Sequence, residues 1–332
     1  MKILILGGSH FVGFHIAAVA IANGHAVTLF NRGKASAHRF PEAEYLVGDR
    51  DGGLDSLKGK SWDLVIDVSG YLPRLVRDSA RFLRENVGRY LFISTSSVYD
   101  EKKILKNGDE NSKLMVLGDE ATEVISDATY GGLKALCEKN VTELYGSRAL
   151  IFRLGLVAGP KEKFSERLYW TRRVALGGEV LVPMVNNELF KFIDVRDIAD
   201  FVQVASEKGL SGTYNVAGQS DMTLLDWLQA CQIASGSDAR FTGVNDQDFL
   251  EKSQLYADIP FSEKQKILSI CSEKAIKCGL SHRSLQRTAL DIFNWDNTQP
   301  ADKRELTGLS LQRETELLKQ WHSREQIGIY EL

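Results

Sequence analysis

Short apolar runs recur along the first half of the chain, separated by turn residues and by stretches with helical spacing. The run at Lys2–Leu6 (KILIL) is the first. Residues 26–30 (AVTLF), 64–68 (LVIDV) and 90–94 (YLFIS) repeat the pattern, and residues 45–50 read as a further strand and its turn. None alternates apolar with polar, so each suits a strand buried on both faces. The intervening stretches read as helices. Residues 14–23 form a small-residue helix stopped by Gly24, residues 75–85 carry apolar positions at helical spacing, and Tyr130 opens a helix running to 143. Strand and helix in alternation predict a doubly wound parallel sheet, whose ligands bind at the carboxyl ends of the strands.

The second half is less regular. After Gly159-Pro160 the chain is expected to leave the sheet for a smaller lobe. Residues 191–195 are expected to return to the sheet, with a helix starting within 194–199. Residues 224–234 read as an amphipathic helix, 249–278 as helical and charged with a break at Pro260, 291–304 as a turn-rich lid or arm, and 314–321 as a last helix. The expected division is a dinucleotide-binding core at 1–160 with 190–220 returning to it, and a substrate-binding lobe built mainly from 161–189 and 221–332.

The turn after the first strand carries the first chemical signal. Gly7, Gly8, Ser9, His10, Phe11, Val12 and Gly13 lie between strand and helix. Glycine there permits an unusual backbone angle, lets the main chain approach a pyrophosphate and lets helix pack on strand. The helix N-terminus then offers free N–H groups to phosphate. In this context the motif predicts a Rossmann-type nucleotide site. His10 departs from it by standing where a middle glycine is usual; its side chain either reaches a phosphate oxygen or points to solvent. At the end of the second strand stand Asn31, Arg32 and Lys34, where an acidic residue would bind the 2′-hydroxyl of NAD. Basic residues there favour NADP, with NAD the lesser option. Asp49 and Arg50 are expected near the adenosine. Val68, Ser69, Gly70 and Ser94 are expected to line the cofactor.

Tyr130 and Lys134 are four residues apart and so share a helix face. A lysine ammonium near a tyrosine is expected to lower a phenol pKa that starts near about 10. Thr95, at the end of the fifth strand, would hold a substrate oxygen while Tyr130 moves the proton.

The bulk numbers exclude several other classes. The 332 residues suffice for one large α/β domain or a domain plus a lobe. Lys+Arg of 41 against Asp+Glu of 44 gives a net charge of −3, without the basic excess of a nucleic-acid binder. Cys137, Cys231, Cys271 and Cys278 form no C-x-x-C pair, which predicts reduced thiols, no metal site and a cytoplasmic setting. No apolar run is long enough to span a membrane. The partner expected is a small-molecule substrate, not nucleic acid or membrane; a homodimer is admitted, with oligomeric state left open.

The segments GGSHFVG (7–13), GDRDG (48–52), ISTSSVY (93–99), YGGLK (130–134), RLGLVAGP (153–160), FIDVRDIA (192–199) and GTYNVAG (212–218) together resemble the extended short-chain dehydrogenase/reductases of the NAD-dependent epimerase/dehydratase group. The resemblance implies a catalytic triad of Thr95, Tyr130 and Lys134. The GGSHF turn and residues 164–173 are similar to an atypical branch that includes chloroplast stem-loop-binding proteins, which implies RNA binding as a rival function. Arg167, Tyr169, Trp170, Arg172 and Arg173 make a basic-aromatic cluster there; Tyr169, Trp170 and Arg173, with Ser96 and Ser97, are the candidate substrate contacts. Phe190 stands where many family members carry a diphosphate-clamping arginine. Ser96-Ser97 replace the acidic pair of the dehydratases, which disfavours 4,6-dehydration. The expectation is an NADP(H)-dependent oxidoreductase acting on a carbonyl or secondary alcohol, with epimerisation through a transient ketone as the alternative.

Overall fold

The computed structural model describes residues 1–33, 39–100, 108–162, 166–184, 191–218, 222–258 and 270–328. Lys34, Phe190 and Pro260 fall outside them. The first half of the chain contributes β1 (Lys2–Leu6), α1 (Phe11–Ala22), β2 (Ala26–Asn31), β3 (Glu44–Val47), β4 (Trp62–Asp67), α2 (Pro73–Leu83), β5 (Val87–Thr95), α3 (Tyr130–Tyr145), β6 (Ala149–Leu154) and β7 (Val157–Ala158). The second half contributes α4 (Glu166–Ala175), β8 (Glu179–Pro183), β9 (Ile193–Asp194), α5 (Val195–Glu207), β10 (Gly212–Val216), α6 (Leu224–Ser235), β11 (Arg240–Val244), α7 (Gln247–Lys252), α8 (Leu255–Asp258), α9 (Glu273–Cys278), α10 (Leu285–Asn297) and α11 (Leu311–Gly328).

The described residues divide into two compact units. The first comprises Met1–Val157, Phe192–Gln219 and Leu268–His282. Its centre is a seven-stranded sheet in the order β3-β2-β1-β4-β5-β6-β10, parallel throughout. Alternate side chains of each strand go to opposite layers. Ile3 and Ile5 join Ile16 of α1 and Ile198 of α5 on one face, while Leu4 and Leu6 join Val76 of α2 and Val141 of α3 on the other. Both faces are dry, which is why the strands read as unbroken apolar runs. The strand order reverses between β1 and β4, where Leu6 pairs with Asp67. That switch point is where doubly wound sheets bind ligands.

Three expectations about this unit are corrected. α1 begins at Phe11, not at 14. Residues 191–195 do not enter the main sheet: Ile193–Asp194 is a two-residue strand outside it, held by Ile193 N–H to Leu156 O at 2.8 Å. The sheet's seventh strand is β10. Residues 270–282, assigned by sequence to the lobe, belong to this unit. Asn215 donates to the Cys271 carbonyl at 3.1 Å, and the Ser272 hydroxyl accepts from Ala217 N–H at 3.0 Å.

The second unit comprises Ala158–Lys191, Ser220–Ile267 and Arg283–Leu332. β8 and β11 pair in parallel. Arg172 of α4 forks onto Asp296 of α10 at 2.7 and 2.8 Å, and Arg173 pairs with Glu314 of α11 at 2.5 Å. The expected lid at 291–304 is corrected as well: Asp291 to Asn297 complete α10, a 13-residue helix with Ser284 as its N-cap. Its Ile292 is 1% exposed, so an apolar face overrides the turn-forming composition.

Candidate active site

The turn between β1 and α1 has little spare volume. Gly7 has φ +112° and Gly8 φ +82°, angles that disfavour any side chain. A Cβ on Gly13 would lie 2.8 Å from the Gly8 backbone. His10 stands as the N-cap of α1 with φ −131° and ψ 150°, extended backbone that any residue adopts. The middle position of this turn therefore makes no demand for glycine, and histidine is tolerated. The cost moves one residue on, to Phe11 at φ +23°. The exposed His10 side chain does not cap the helix, and the first turn of α1 holds no acidic residue. N–H groups and a positive helix end are thus available to an anion, so these residues fit a dinucleotide pyrophosphate.

The adenosine side is mixed. Asn31 Oδ1 accepts from Gly33 N–H at 2.9 Å, and Arg32 is exposed beside it. Asp49 is also exposed and caps its own turn, accepting from Asp51 N–H at 3.1 Å. Arg50 does not face the adenosine, and that expectation is corrected. Its guanidinium turns inward and forks onto Asp67 at 2.7 and 3.0 Å, with Ser79 Oγ at 2.6 Å. A buried carboxylate at the end of β4 needs a cation more than solvent does.

Thr95 ends β5 and caps the short turn that follows, its Oγ1 accepting from Ser97 N–H at 3.1 Å and donating to Ser97 Oγ at 3.2 Å. Tyr130 opens α3, with its phenol near the Thr95 hydroxyl. The paired glycines after it are required by close packing. A Cβ on Gly131 would overlap the Ser97 carbonyl, and one on Gly132 would meet Leu117 at 2.5 Å. Ser94, 4% exposed, keeps a buried hydroxyl without a hydrogen-bond partner among the described residues.

Lys134 lies one turn beyond Tyr130 and is buried. Its ammonium donates to the carbonyls of Gly70 and Ile93, each at 2.7 Å, under the Phe92 ring at 4.1 Å. Burial pushes it down to about 8. Tyr130 is pushed up to about 12, first by burial and then by Tyr71, against the pull of the nearby Thr95 hydroxyl. The expectation of a lowered phenol pKa is therefore corrected: the surroundings keep Tyr130 protonated, as a proton donor. Tyr71 was missed from sequence. Its ring stands 6.3 Å from that of Tyr130 and half-exposed. Its place directly after Ser69-Gly70 was the available signal.

The basic-aromatic cluster is not a surface. Tyr169 and Trp170 are 2% and 0% exposed. Arg173 holds Glu314 and the carbonyls of Gly177 and Glu179, Arg172 holds Asp296, and Arg167 holds Glu162. These residues build the interior of the second unit, which corrects their reading as substrate contacts and as an RNA face. Ser96 and Ser97 stay beside Thr95, half-buried.

Residues 66–217 match the model of the NAD dependent epimerase/dehydratase family. The similarity to the family is carried by that stretch. It runs from within β4 to just past β10 and contains Asp67, Gly70, Thr95, Tyr130 and Lys134. Over 315 residues the chain is 26% identical to the chloroplast stem-loop binding protein of 41 kDa b of Arabidopsis thaliana, covering 89% of this chain and 79% of that one. Among solved structures it is similar to the Bordetella bronchiseptica enzyme WbmH in complex with NAD+, at TM-score 0.66 and 17% identity, over 90% of this chain and 98% of that one. It is also similar to a human epimerase family protein with NADPH, at TM-score 0.60 and 18% identity, over 89% and 99%. At such identities the likeness establishes the fold. Among the described residues no helix is long and apolar enough to cross a membrane, and no group of acidic, histidine and cysteine side chains is arranged to hold a metal ion.

Proposed function

We propose that this chain is an NADP(H)-dependent oxidoreductase acting on a carbonyl or secondary alcohol of a small organic substrate. The observation that carries the reading is the placing of Tyr130 beside Thr95, with buried Lys134 one helical turn away. When bound, the nicotinamide supplies or accepts the hydride. Tyr130 holds the proton that the substrate oxygen receives in the reducing direction. Thr95 orients that oxygen. Lys134 places a positive charge behind the phenol as it gives up its proton. Gly7, Gly8, Gly13 and the N-terminus of α1 hold the pyrophosphate, and Val68, Ser69, Gly70 and Ser94 line the cofactor. The test is a screen of carbonyl compounds with NADPH, read as net loss of reduced nicotinamide.

Epimerisation through a transient ketone is the second reading, favoured by the family match. It gives product without net change in nicotinamide absorbance, so the same assay separates the two.

NADP is preferred here because Arg32 is exposed at the end of β2 and no carboxylate stands at Asn31. Arg32→Asp is expected to reverse or erase a preference for NADPH over NADH, since it replaces a charge-assisted contact with repulsion. Titration of both nucleotides into both proteins checks it; wild-type protein that binds NADH at least as tightly removes the argument. His10→Ala is expected to weaken cofactor binding by about 1–3 kcal/mol through loss of a phosphate contact. An unchanged affinity assigns His10 to solvent.

A further inference from the structure

Arg50 and Asp67 connect to the site through hydrogen bonds joined by the Ser69–Gly70 peptide link. Asp67 ends β4 with no exposed surface, so its charge has no solvent to settle it. Arg50 forks onto both its oxygens, and Tyr90 donates to Oδ2 at 2.9 Å. Oδ1 also accepts from Ser69 N–H at 3.1 Å. Ser69 in turn donates its hydroxyl to the Leu6 carbonyl at 3.1 Å, which ties this turn to the end of β1 beside Gly7. The next residue, Gly70, presents its carbonyl to Lys134 Nζ at 2.7 Å. A Cβ on Gly70 would come within 3.0 Å of Asp67 Oδ2 and 2.5 Å of Phe92, so the turn is packed against the carboxylate as well as bonded to it.

We infer that the Arg50–Asp67 ion pair positions the Val68–Gly70 turn and, through the Gly70 carbonyl, the ammonium of Lys134. Both are positioning residues: their charged groups are turned inward onto each other. The inference rests on the nucleotide-site reading above in one respect, that the positioned turn faces a cofactor. The surroundings of Lys134 add a second line. Besides the two carbonyls and the Phe92 and Tyr71 rings, the charged groups acting on it are Asp67 and Glu138, which favour its charge, and Arg50, which opposes it; Asp67 acts more strongly than Arg50, and burial keeps the Cys137 thiol neutral. The locked Asp67 carboxylate is therefore part of what keeps Lys134 charged near neutrality.

The test uses Arg50→Met, which leaves Asp67 without its counter-ion, and the double variant Arg50→Met/Asp67→Asn. The double variant retains an acceptor for Ser69 N–H and buries no unpaired charge, so it is the one expected to fold. Two quantities are read on folded full-length protein: the affinity for NADPH, and the titration midpoint of Lys134 by NMR of carbon-labelled lysine, assigned by its loss in Lys134→Met. The expected result for the double variant is an affinity at least fivefold weaker and a Lys134 midpoint moved to lower pH, because the stronger favourable neighbour has been removed. A double variant with the wild-type midpoint overturns the inference, and so does one with wild-type NADPH affinity. If wild-type protein binds no nicotinamide nucleotide, the cofactor reading fails by itself and the Lys134 midpoint decides the brace alone.

Discussion

Tyr130→Phe is expected to lower turnover by roughly 10² to 10⁴ while leaving the fold in place, the span typical of losing a general acid–base group. The substitution keeps the ring and removes one hydroxyl. Tyr130 is half-buried at the first turn of α3, so packing of the ring against its surroundings survives. The phenol hydroxyl near Thr95 is lost, while Thr95 keeps its hydrogen bonds with Ser97. Cofactor affinity and thermal midpoint are expected to stay close to wild type, since the glycine turn, Ser69 and Lys134 are untouched. Thr95→Ala is expected to cost less, because Ser97 Oγ lies 3.2 Å from Thr95 Oγ1 and offers a second hydroxyl to the substrate oxygen. The check is kcat/KM on one compound that gives measurable turnover, with cofactor titration on the same proteins. Full activity in Tyr130→Phe would end the triad assignment and leave the family match as a statement about the fold. RNA binding would not respond to this substitution. Nor does the structure offer RNA the arginines that its sequence suggested, since Arg167, Arg172 and Arg173 each hold an internal carboxylate.

The sheet was legible because its signal is local. A strand buried on both faces must be apolar throughout, and Lys2–Leu6 or residues 64–68 have no other stable use. The glycine turn was legible for a similar reason: a backbone that needs φ near +100° shows as glycine in the sequence. What sequence could not supply was direction. Arg50 and Arg173 have the composition of ligand-binding arginines, and both turn inward to carboxylates brought near only by the fold, Asp67 at the end of β4 and Glu314 on a distant helix. The pairing of a charge with a partner over a hundred residues away leaves no local mark. Asp67 did leave one, as a lone acid inside the apolar run LVIDV, and a charge buried in a strand requires a cation. The state of Tyr130 was misjudged on the same ground. Spacing placed Lys134 on its face, but burial of both groups, with Tyr71 alongside, decides that the phenol stays protonated.

The pH dependence of turnover should carry the mark of Lys134. In the folded protein its ammonium is pushed down to about 8 by burial. It is charged below that value and neutral above it. In the reducing direction Tyr130 must release its proton and become a phenolate, although its surroundings push it up to about 12. A positive charge one turn away offsets that cost, and the offset is lost as Lys134 deprotonates. For reduction, kcat/KM is therefore expected to hold steady below pH 8 and to fall about tenfold per pH unit above it. The contribution of Lys134 to stability runs the other way. The same side chain titrates near about 10.4 in an unfolded chain, so between the two values the unfolded state binds the extra proton. Burial of the charged form is a cost below pH 8, and it is relieved as pH rises. Relative to Lys134→Met, wild-type protein is expected to gain up to about 3 kcal/mol across that window. The opposite signs separate a titrating site from a protein that merely loosens in alkali: unfolding would lower activity and stability together. A kcat/KM profile flat to pH 10, or a wild-type-minus-variant stability difference that does not rise between pH 8 and 10, removes Lys134 from the catalytic reading.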